Sequence, residues 1–228
     1  QIPIATTLLS CVFFFIIFRH WQTKKQAIYL LWWTIGILTY GLGTLTESLT
    51  TLFGWNILVF KSWYITGALL GGFPLAQGTV YLLMNKKAAH TLTVITMLYI
   101  MTASVFVILS PVNYEMVETS RLTGKALQWK EVRLFSPLIN LYSVIFLIGG
   151  AIYSAWIYRK AQSSSARMWG NVWIALGAIL PGIGGSFTRF GYTEVLYVTE
   201  LIGLILIFCG YIIIRYDRSV SIHRPQQS

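Results

Sequence analysis

Five side chains combine a charge or an amide group with a position near the end of an apolar segment: Glu47, Lys61, Asn140, Arg189 and Glu200. An ionisable group at the centre of a membrane helix costs roughly 2.5 to 3.5 kcal/mol, so such a residue is a functional candidate by default. Carboxylates and cations in one layer can bind a small polar ligand or exchange a proton. We therefore take these five residues as a candidate ligand site.

The segments that must position them are membrane helices. The chain has 228 residues, of which 56% are hydrophobic and 11% are charged, and this composition excludes an ordinary soluble domain. A span needs about 20 mostly apolar residues. The sequence predicts an all-α, polytopic bundle of seven spans, at residues 2–19, 27–47, 57–84, 91–110, 136–158, 168–187 and 194–214. Residues 1–216 form one transmembrane domain, and residues 217–228 form a short cytoplasmic tail.

The net charge of +10 follows the loops, which argues against nucleic acid as a partner and for lipid head groups. One set of connections has Asp217 as its only acid. Its cations are Arg19, Lys24, Lys25, Lys86, Lys87, Arg159, Lys160, Arg167, Arg215, Arg218 and Arg224. The other set mixes cations with the remaining acids. The positive-inside rule therefore predicts an external N-terminus and a cytoplasmic C-terminus.

The second and third spans bring an acid and a base towards the same membrane face. Gly36, Tyr40, Gly43 and Glu47 recur at helical spacing, which predicts that Glu47 points into the bundle. The alternative is that Glu47 only ends its helix among the head groups. Lys61 either pairs with Glu47 or extends to the outer interface.

Two regions predict irregular structure. Pro74 predicts a kink in the third span, and Pro181 with its neighbouring glycines predicts a weakened outer half of the sixth span, beside a cavity. The loop at residues 111–135 alternates apolar and polar residues around Gly124, which favours a short hairpin or an interfacial flap. Trp129 is its expected anchor.

The seventh span carries Glu200 on one face with Gly203, Leu204, Ile207 and Tyr211. This face should point inward and place Glu200 deeper than the other acids. All five candidate residues then meet at the outer end of the bundle, each from a different segment.

Other chemistries lack their signatures. Cys11 and Cys209 lie at different depths with no CxxC motif, so neither a disulfide nor a thiol site is indicated. His20, His90 and His223 form no zinc or di-iron motif, and no metal site is predicted. A haem between His20 and His90 is the alternative, and the cofactor is otherwise unknown. The seventh span contains no lysine for a retinal Schiff base, and no motif indicates an enzyme.

The run LLWWTIGILTYGLGTLTESLTTLFGWNILVFKSWYITGALLGGFPLAQGTVYLL resembles the N-terminal seven-helix sensor region of bacterial histidine kinases and related signalling proteins. In that family an aromatic and basic cluster opens the third helix, here FKSWY at residues 60–64. GKALQWKEVRLFSPLINLYSVIFLIGGAIY is similar to the family's outer loop and fifth helix, and GYIIIRYDR to its exit into the cytoplasm. The family usually continues into an output domain, whereas SVSIHRPQQS follows here. The resemblance implies a sensor that signals through a partner.

These observations predict a non-enzymatic seven-helix sensor that binds a small ligand in an outer-half cavity and passes the change to a protein partner in the membrane or at its cytoplasmic face. One alternative is an accessory or scaffold subunit of a larger membrane complex, in which the outer charged layer is structural. A further alternative is a proton-coupled carrier that uses Glu47 and Glu200.

Overall fold

The computed structural model describes residues 1–118, 121–188 and 190–217. Within them, seven helical spans are long and apolar enough to cross a membrane, as predicted. The α-helices are α1 (Ile2–Thr23), α2 (Ile28–Phe53), α3 (Ile57–Trp63), α4 (Phe73–Leu83), α5 (Lys86–Leu109), α6 (Phe135–Ser143), α7 (Gly149–Lys160), α8 (Ser165–Thr188) and α9 (Thr193–Arg215). We call the end of the bundle with the loop at 111–135 the outer end and the opposite end the inner end, after the predicted orientation.

Helix boundaries follow local capping chemistry. Gly54, with a φ of 81°, ends α2, and this left-handed conformation is one that glycine adopts without strain. The Asn56 side chain then accepts a hydrogen bond of 2.8 Å from the Leu58 backbone N–H and so starts α3. Asn85 starts α5 in the same way, through a hydrogen bond of 2.9 Å from the Ala88 N–H. Short capped turns therefore join the second span to the third and the third to the fourth.

The third and fifth spans are interrupted. A π-helical segment, Tyr64–Leu69, follows α3, and the chain bends before α4, which has Pro74 in its first turn. A second π-helical segment, Val144–Ile148, joins α6 to α7. The predicted break in the third span is confirmed, because proline fits the first turn of a new helix, where no backbone N–H is required.

The sixth span differs from its prediction, because α8 continues from Ser165 to Thr188 with Pro181 inside it. A neighbouring helix supports this region. A Cβ atom on Gly203 of α9 would lie 3.1 Å from Cδ of Pro181 and 2.7 Å from the carbonyl oxygen of Gly177. Helices α8 and α9 therefore pack backbone against backbone, and such packing lets a membrane helix accommodate a proline.

Of the two alternatives predicted for the outer loop, the short hairpin is not formed by the described residues, and the interfacial flap stays a prediction. The loop contains the 3₁₀ turns Tyr114–Met116, Gly124–Ala126 and Lys130–Leu134, and its described residues form isolated bridges but no strand. Leu122, Ala126 and Val132 are buried against Phe60 and other residues of the bundle. Ala126 and Leu127 are buried in succession, which the two-residue period of a single strand does not allow, so compact turns bury both side chains.

Trp129 is not the main anchor of this loop. Its side chain is 38% exposed and meets the Phe106 ring edge-on at 6.4 Å, whereas Leu127 is 2% exposed. The Trp129 backbone N–H donates a hydrogen bond of 3.2 Å to Oγ of Ser110 at the end of α5. The loop is thus held by small aliphatic side chains and a backbone hydrogen bond.

The spans differ in how deeply they lie within the bundle. In the central window of α2, 44% of the residues are buried, against 17% in the equivalent window of α5. One core cluster gathers Phe13, Ile37 and Leu204 from the first, second and seventh spans. Helix α2 is thus the central helix and α5 a peripheral one, so side chains on α2 are the best placed to contact several spans.

Candidate functional site

Glu47 lies inside the bundle. Its side chain is 2% exposed, and Gly36 and Gly43 on the same face of α2 are buried with it. Helix α2 continues for six residues beyond Glu47 to Phe53, which is about 9 Å. The prediction of an inward face is confirmed, and the alternative that Glu47 only ends its helix among the head groups is wrong.

The glycines of this face explain how neighbouring segments come close enough to bury an acid. A Cβ atom on Gly36 would lie 2.6 Å from the Leu75 side chain, and one on Gly43 would lie 3.4 Å from the Gly67 backbone. The third span therefore crosses α2 at close range. This contact brings Trp63 beside Glu47, and the Trp63 Nε1–H donates a hydrogen bond of 3.0 Å to Glu47 Oε1.

The Glu200 carboxyl group of α9 lies within hydrogen-bonding reach of the Glu47 carboxyl group. The buried Oε2 of Glu47 has no hydrogen-bond partner among the N–H and O–H groups of the described residues. Two ionised carboxylates only accept hydrogen bonds, so this contact becomes a hydrogen bond when one of them carries a proton. We call Glu47 and Glu200 together the carboxyl pair.

Helix α9 is buried along the face that the sequence predicts. Gly203, Leu204, Ile207 and Tyr211 are all buried, which confirms the inward face of the seventh span. The Tyr40 hydroxyl on α2 donates a hydrogen bond of 2.9 Å to the backbone carbonyl of Glu200. This bond holds the two helices together beside the carboxyl pair.

Lys61 does not lie against Glu47. Its Nζ donates hydrogen bonds of 2.6 Å to the carbonyl oxygen of Ile108 and 3.0 Å to that of Ser110. The last carbonyls of a helix have no partner within the helix, and a cation satisfies both their hydrogen-bonding capacity and the helix dipole. Lys61 thus caps the end of α5, and the expected pairing with Glu47 is not formed.

The other two predicted residues do not join the carboxyl pair in the described structure. Asn140 is exposed on α6, and Arg189 lies outside the described residues. Of the five candidates, the structure brings Glu47 and Glu200 together. Their role in ligand binding stays a prediction.

A cavity lies in the inner half of the described bundle, away from the carboxyl pair. This cavity has a volume of about 40 Å³. Its walls are mostly apolar, with Phe13, Ile37 and Ile207 among them, and Asn171, Ser154 and Tyr211 supply polar atoms. A cavity needs at least about 10 to 15 Å³ to hold one water molecule. The space therefore suits water or another very small molecule.

Two polar groups that sequence reasoning missed also lie in the inner half. Gln77 is fully buried, and its Nε2 donates hydrogen bonds of 3.1 Å to the Ala89 carbonyl oxygen and 2.7 Å to Thr93 Oγ1. The Tyr142 hydroxyl donates to Gln77 Oε1. The signal in the sequence was a single amide within an apolar segment, which marks a buried group that needs partners.

The second missed group closes the inner end and involves Asp217, whose side chain is 5% exposed. Its Oδ2 lies 3.0 Å from Arg167 Nε and accepts a hydrogen bond of 2.8 Å from Ser164 Oγ. Arg167 Nη1 also donates a hydrogen bond of 3.2 Å to the Tyr158 hydroxyl. We call these four residues the inner clamp, which joins the end of α7, the start of α8 and the end of α9.

No protein-family model matches this chain, and neither a curated protein nor a solved structure shows significant similarity to it. The functional argument therefore rests on the residues themselves. The described residues contain no group of three or more His, Cys, Asp and Glu side chains arranged to hold a metal ion. The carboxyl pair places two facing acids between α2 and α9. This arrangement is suited to binding positive charge.

Proposed function

We propose that the chain is a non-enzymatic seven-helix membrane sensor in which the carboxyl pair responds to a small ligand. The observation that carries this proposal is the approach of Glu47 on α2 and Glu200 on α9, beside a buried oxygen that has no described partner. The resemblance to sensor regions of signalling proteins agrees with it. A ligand that binds one arrangement of these two helices more tightly than another shifts the bundle towards that arrangement.

The close packing of α8 and α9 gives the response a route to the inner end. A Cβ atom on Gly210 would lie 2.5 Å from the carbonyl oxygen of Gly170, and one on Gly177 would lie 2.5 Å from that of Gly203. Helices in such close contact shift together. A displacement at Glu200 therefore reaches the inner clamp, where a protein partner at the cytoplasmic face receives the change.

This proposal includes the orientation predicted from loop charge, with an external N-terminus, a cytoplasmic C-terminus and a bacterial plasma membrane. A reporter fused after residue 228 is expected to be cytoplasmic, and one inserted near Gly124 is expected to be external. The reverse result would place the carboxyl pair in the cytoplasmic half and overturn the proposal of an outer ligand.

A proton-coupled carrier is the second candidate. The observation that favours it is the inner-half cavity, which is lined by Tyr211 of the helix that carries Glu200. A carrier needs groups that bind protons and a space for what it transports. Here the carboxyl pair lies in one half of the bundle and the small cavity lies in the other half. The two functions differ in outcome, since a carrier moves protons across a vesicle membrane and a sensor does not.

The variant Glu200→Gln in lipid nanodiscs tests the sensor proposal, because it removes charge from the pair with little change in shape. Hydrogen exchange at residues 158–167 and 215–217 is the measurement. We expect Glu200→Gln to change exchange there several-fold, whereas Glu115→Gln, which alters an exposed acid of the outer loop, leaves it unchanged. A change confined to residues around Glu200 would contradict the sensor and favour the structural role of a scaffold subunit.

A further inference from the structure

We infer that the ligand of the carboxyl pair is a single proton, shared between Glu47 and Glu200. This inference rests on the proposed function and names the chemical class of the ligand. With the proton in place the pair carries one negative charge and joins α2 to α9. Without it, two carboxylates face each other across the same interface.

The hydrogen bonds around Glu47 leave a place for this proton. Oε1 already accepts the Trp63 N–H at 3.0 Å, and Oε2 is buried without a donor among the described N–H and O–H groups. The Glu200 carboxyl group is the neighbour within reach. A proton on either acid supplies the missing donor, so the same proton satisfies the orphan oxygen and joins the two side chains.

The charged neighbours of the pair do not replace the proton. Among the described residues, the ion pairs join Arg121 to Glu118 and Glu194, and Arg167 to Asp217. Lys61 is held at the end of α5, and Arg121 and Glu194 lie at the outer end, nearer Tyr197 than the pair. No described cation therefore contacts either acid, and a second negative charge at this depth would lack compensation.

Among the described residues, two tyrosines are the other titratable groups that face the pair. Tyr40 of α2 uses its hydroxyl proton for the Glu200 carbonyl oxygen, and Tyr197 lies on α9 one turn before Glu200. From the third span the pair meets the Trp63 N–H, which does not titrate in water. Glu47 and Glu200 are thus the described groups that can share a proton at this place.

A proton fits this place better than a metal cation. Hard cations such as calcium and magnesium take six or more oxygen ligands at set distances. Here Trp63 directs an N–H at one carboxylate oxygen, and Tyr40 directs its O–H away to a carbonyl, so both present hydrogen rather than a lone pair.

Release of the proton gives the sensor its second state. Two carboxylates within hydrogen-bonding reach repel strongly where the effective dielectric constant is low. Helix α9 is packed on α8 through glycines, and its link to α2 at this depth is the Tyr40 hydrogen bond. The outer ends of α2 and α9 therefore separate, while the inner clamp holds the other end of α9.

The test uses the full chain in lipid nanodiscs between pH 5 and pH 9 and measures two quantities. The first is the infrared carbonyl stretch of protonated carboxyl groups, and the second is the thermal unfolding midpoint. For the wild type we expect the protonated band to disappear as the pH rises, with the midpoint falling by about 5 °C or more. Glu115→Gln should behave as the wild type, because it changes an exposed acid.

Glu47→Gln and Glu200→Gln should each lack the band and give a midpoint that is independent of pH. A glutamine N–H donates to the remaining carboxylate and so replaces the shared proton. Two variants are used so that one still reports if the other fails to fold. If both keep the wild-type band and pH profile, the inference is overturned.

Sodium chloride titrations at pH 8 complete the test. If sodium raises the midpoint of the wild type more than that of Glu200→Gln, the ligand is a metal cation and the shared proton is overturned. A midpoint that does not depend on sodium supports the proton. A pair that titrates without any change at the inner end in hydrogen exchange supports the shared proton and contradicts the sensor, so the two failures are distinguishable.

Discussion

Two acids of α9, Glu200 in its outer half and Asp217 just beyond its inner end, have opposite surroundings. Asp217, just beyond its inner end, lies 3.0 Å from Arg167 and accepts a hydrogen bond from Ser164. Glu200, near its outer end, faces Glu47, an acid of the same charge. Asp217 has a cation and a hydroxyl donor beside it, and these stabilise its ionised form. Glu200 faces a second carboxyl group, with which we infer that it shares one proton. The same helix is thus fixed at one end and adjustable at the other.

The distance between Glu200 and Asp217 matters for the proposed sensor, because a response must cross it. Glu200 and Asp217 are 17 positions apart, which corresponds to about 25 Å along a helix. Close packing of α9 against α8 prevents the helix from relaxing independently at one end. Under the sensor proposal, a change in charge at the outer end of α9 is converted into strain on the inner clamp. The predictions below test this contrast in order of decreasing effect.

The largest expected effect is at the inner clamp. Arg167→Met would remove the cation that lies 3.0 Å from the Asp217 carboxylate, which is 5% exposed. Removing one partner of a buried ion pair costs about 3 kcal/mol, and the partial exposure of Arg167 places this case at the lower end of the range. Thermal unfolding in nanodiscs measures the loss.

Arg159→Met is the matched control, because Arg159 is an exposed cation at the same membrane face. It should change stability by less than about 0.5 kcal/mol. Equal effects of the two variants would mean that surface charge, not the inner clamp, controls this end of the molecule.

The next largest effect is expected at Gln77, the buried amide of the inner half. Gln77→Leu would remove the partner of the Tyr142 hydroxyl and the donor to Thr93. An orphaned buried polar group costs about 1 to 3 kcal/mol, so we expect a loss of about 2 kcal/mol in thermal unfolding. Gln128→Leu, at an exposed position of the outer loop, is the control. If Tyr142→Phe combined with Gln77→Leu were no better tolerated than Gln77→Leu alone, this hydrogen bond would not be the cause.

A smaller effect is expected in the outer half of α9, near Glu200. Tyr40→Phe removes the hydrogen bond between α2 and the Glu200 carbonyl, at a cost of about 1 kcal/mol. Because this bond limits the separation of α2 and α9, the variant should also increase hydrogen exchange of the outer half of α9 as the pH rises. Tyr153→Phe is the control, since Tyr153 is 52% exposed. Loss of stability without increased exchange would show that Tyr40 does not restrain the helices.

Much of the fold followed from the sequence because the membrane imposes length and polarity on each span. Seven apolar segments and the break near Pro74 were predicted from local rules, and each is present. The outer loop was not, because its aliphatic side chains settle into whichever surface the bundle presents. Pro181 was misjudged for a related reason, since the support that it receives comes from Gly203 on another helix.

The candidate site shows the same division. The faces of Glu47 and Glu200 were predictable, because glycines recur at helical spacing beside each acid. Their direct approach was not, since it depends on how α9 crosses α2. The pairing of Arg167 with Asp217 was also out of reach, because 50 residues separate them and both belong to the cationic inner face. Pairing across spans is a property of packing, which hydropathy does not encode.

The smallest expected effect tests whether Lys61 acts independently of the carboxyl pair. Its Nζ bonds the Ile108 and Ser110 carbonyls, so Lys61→Met should cost about 0.5 to 1 kcal/mol through the lost cap of α5. The exposed Lys130 provides the control variant Lys130→Met, which should be neutral. Combined with Glu47→Gln in a double-mutant cycle, the effects of Lys61→Met should add within about 0.5 kcal/mol, because the two residues share no contact. A coupling larger than that would mean that Lys61 reaches Glu47 in a second arrangement of the bundle, and the adjustable end would then involve the third span as well as α2 and α9.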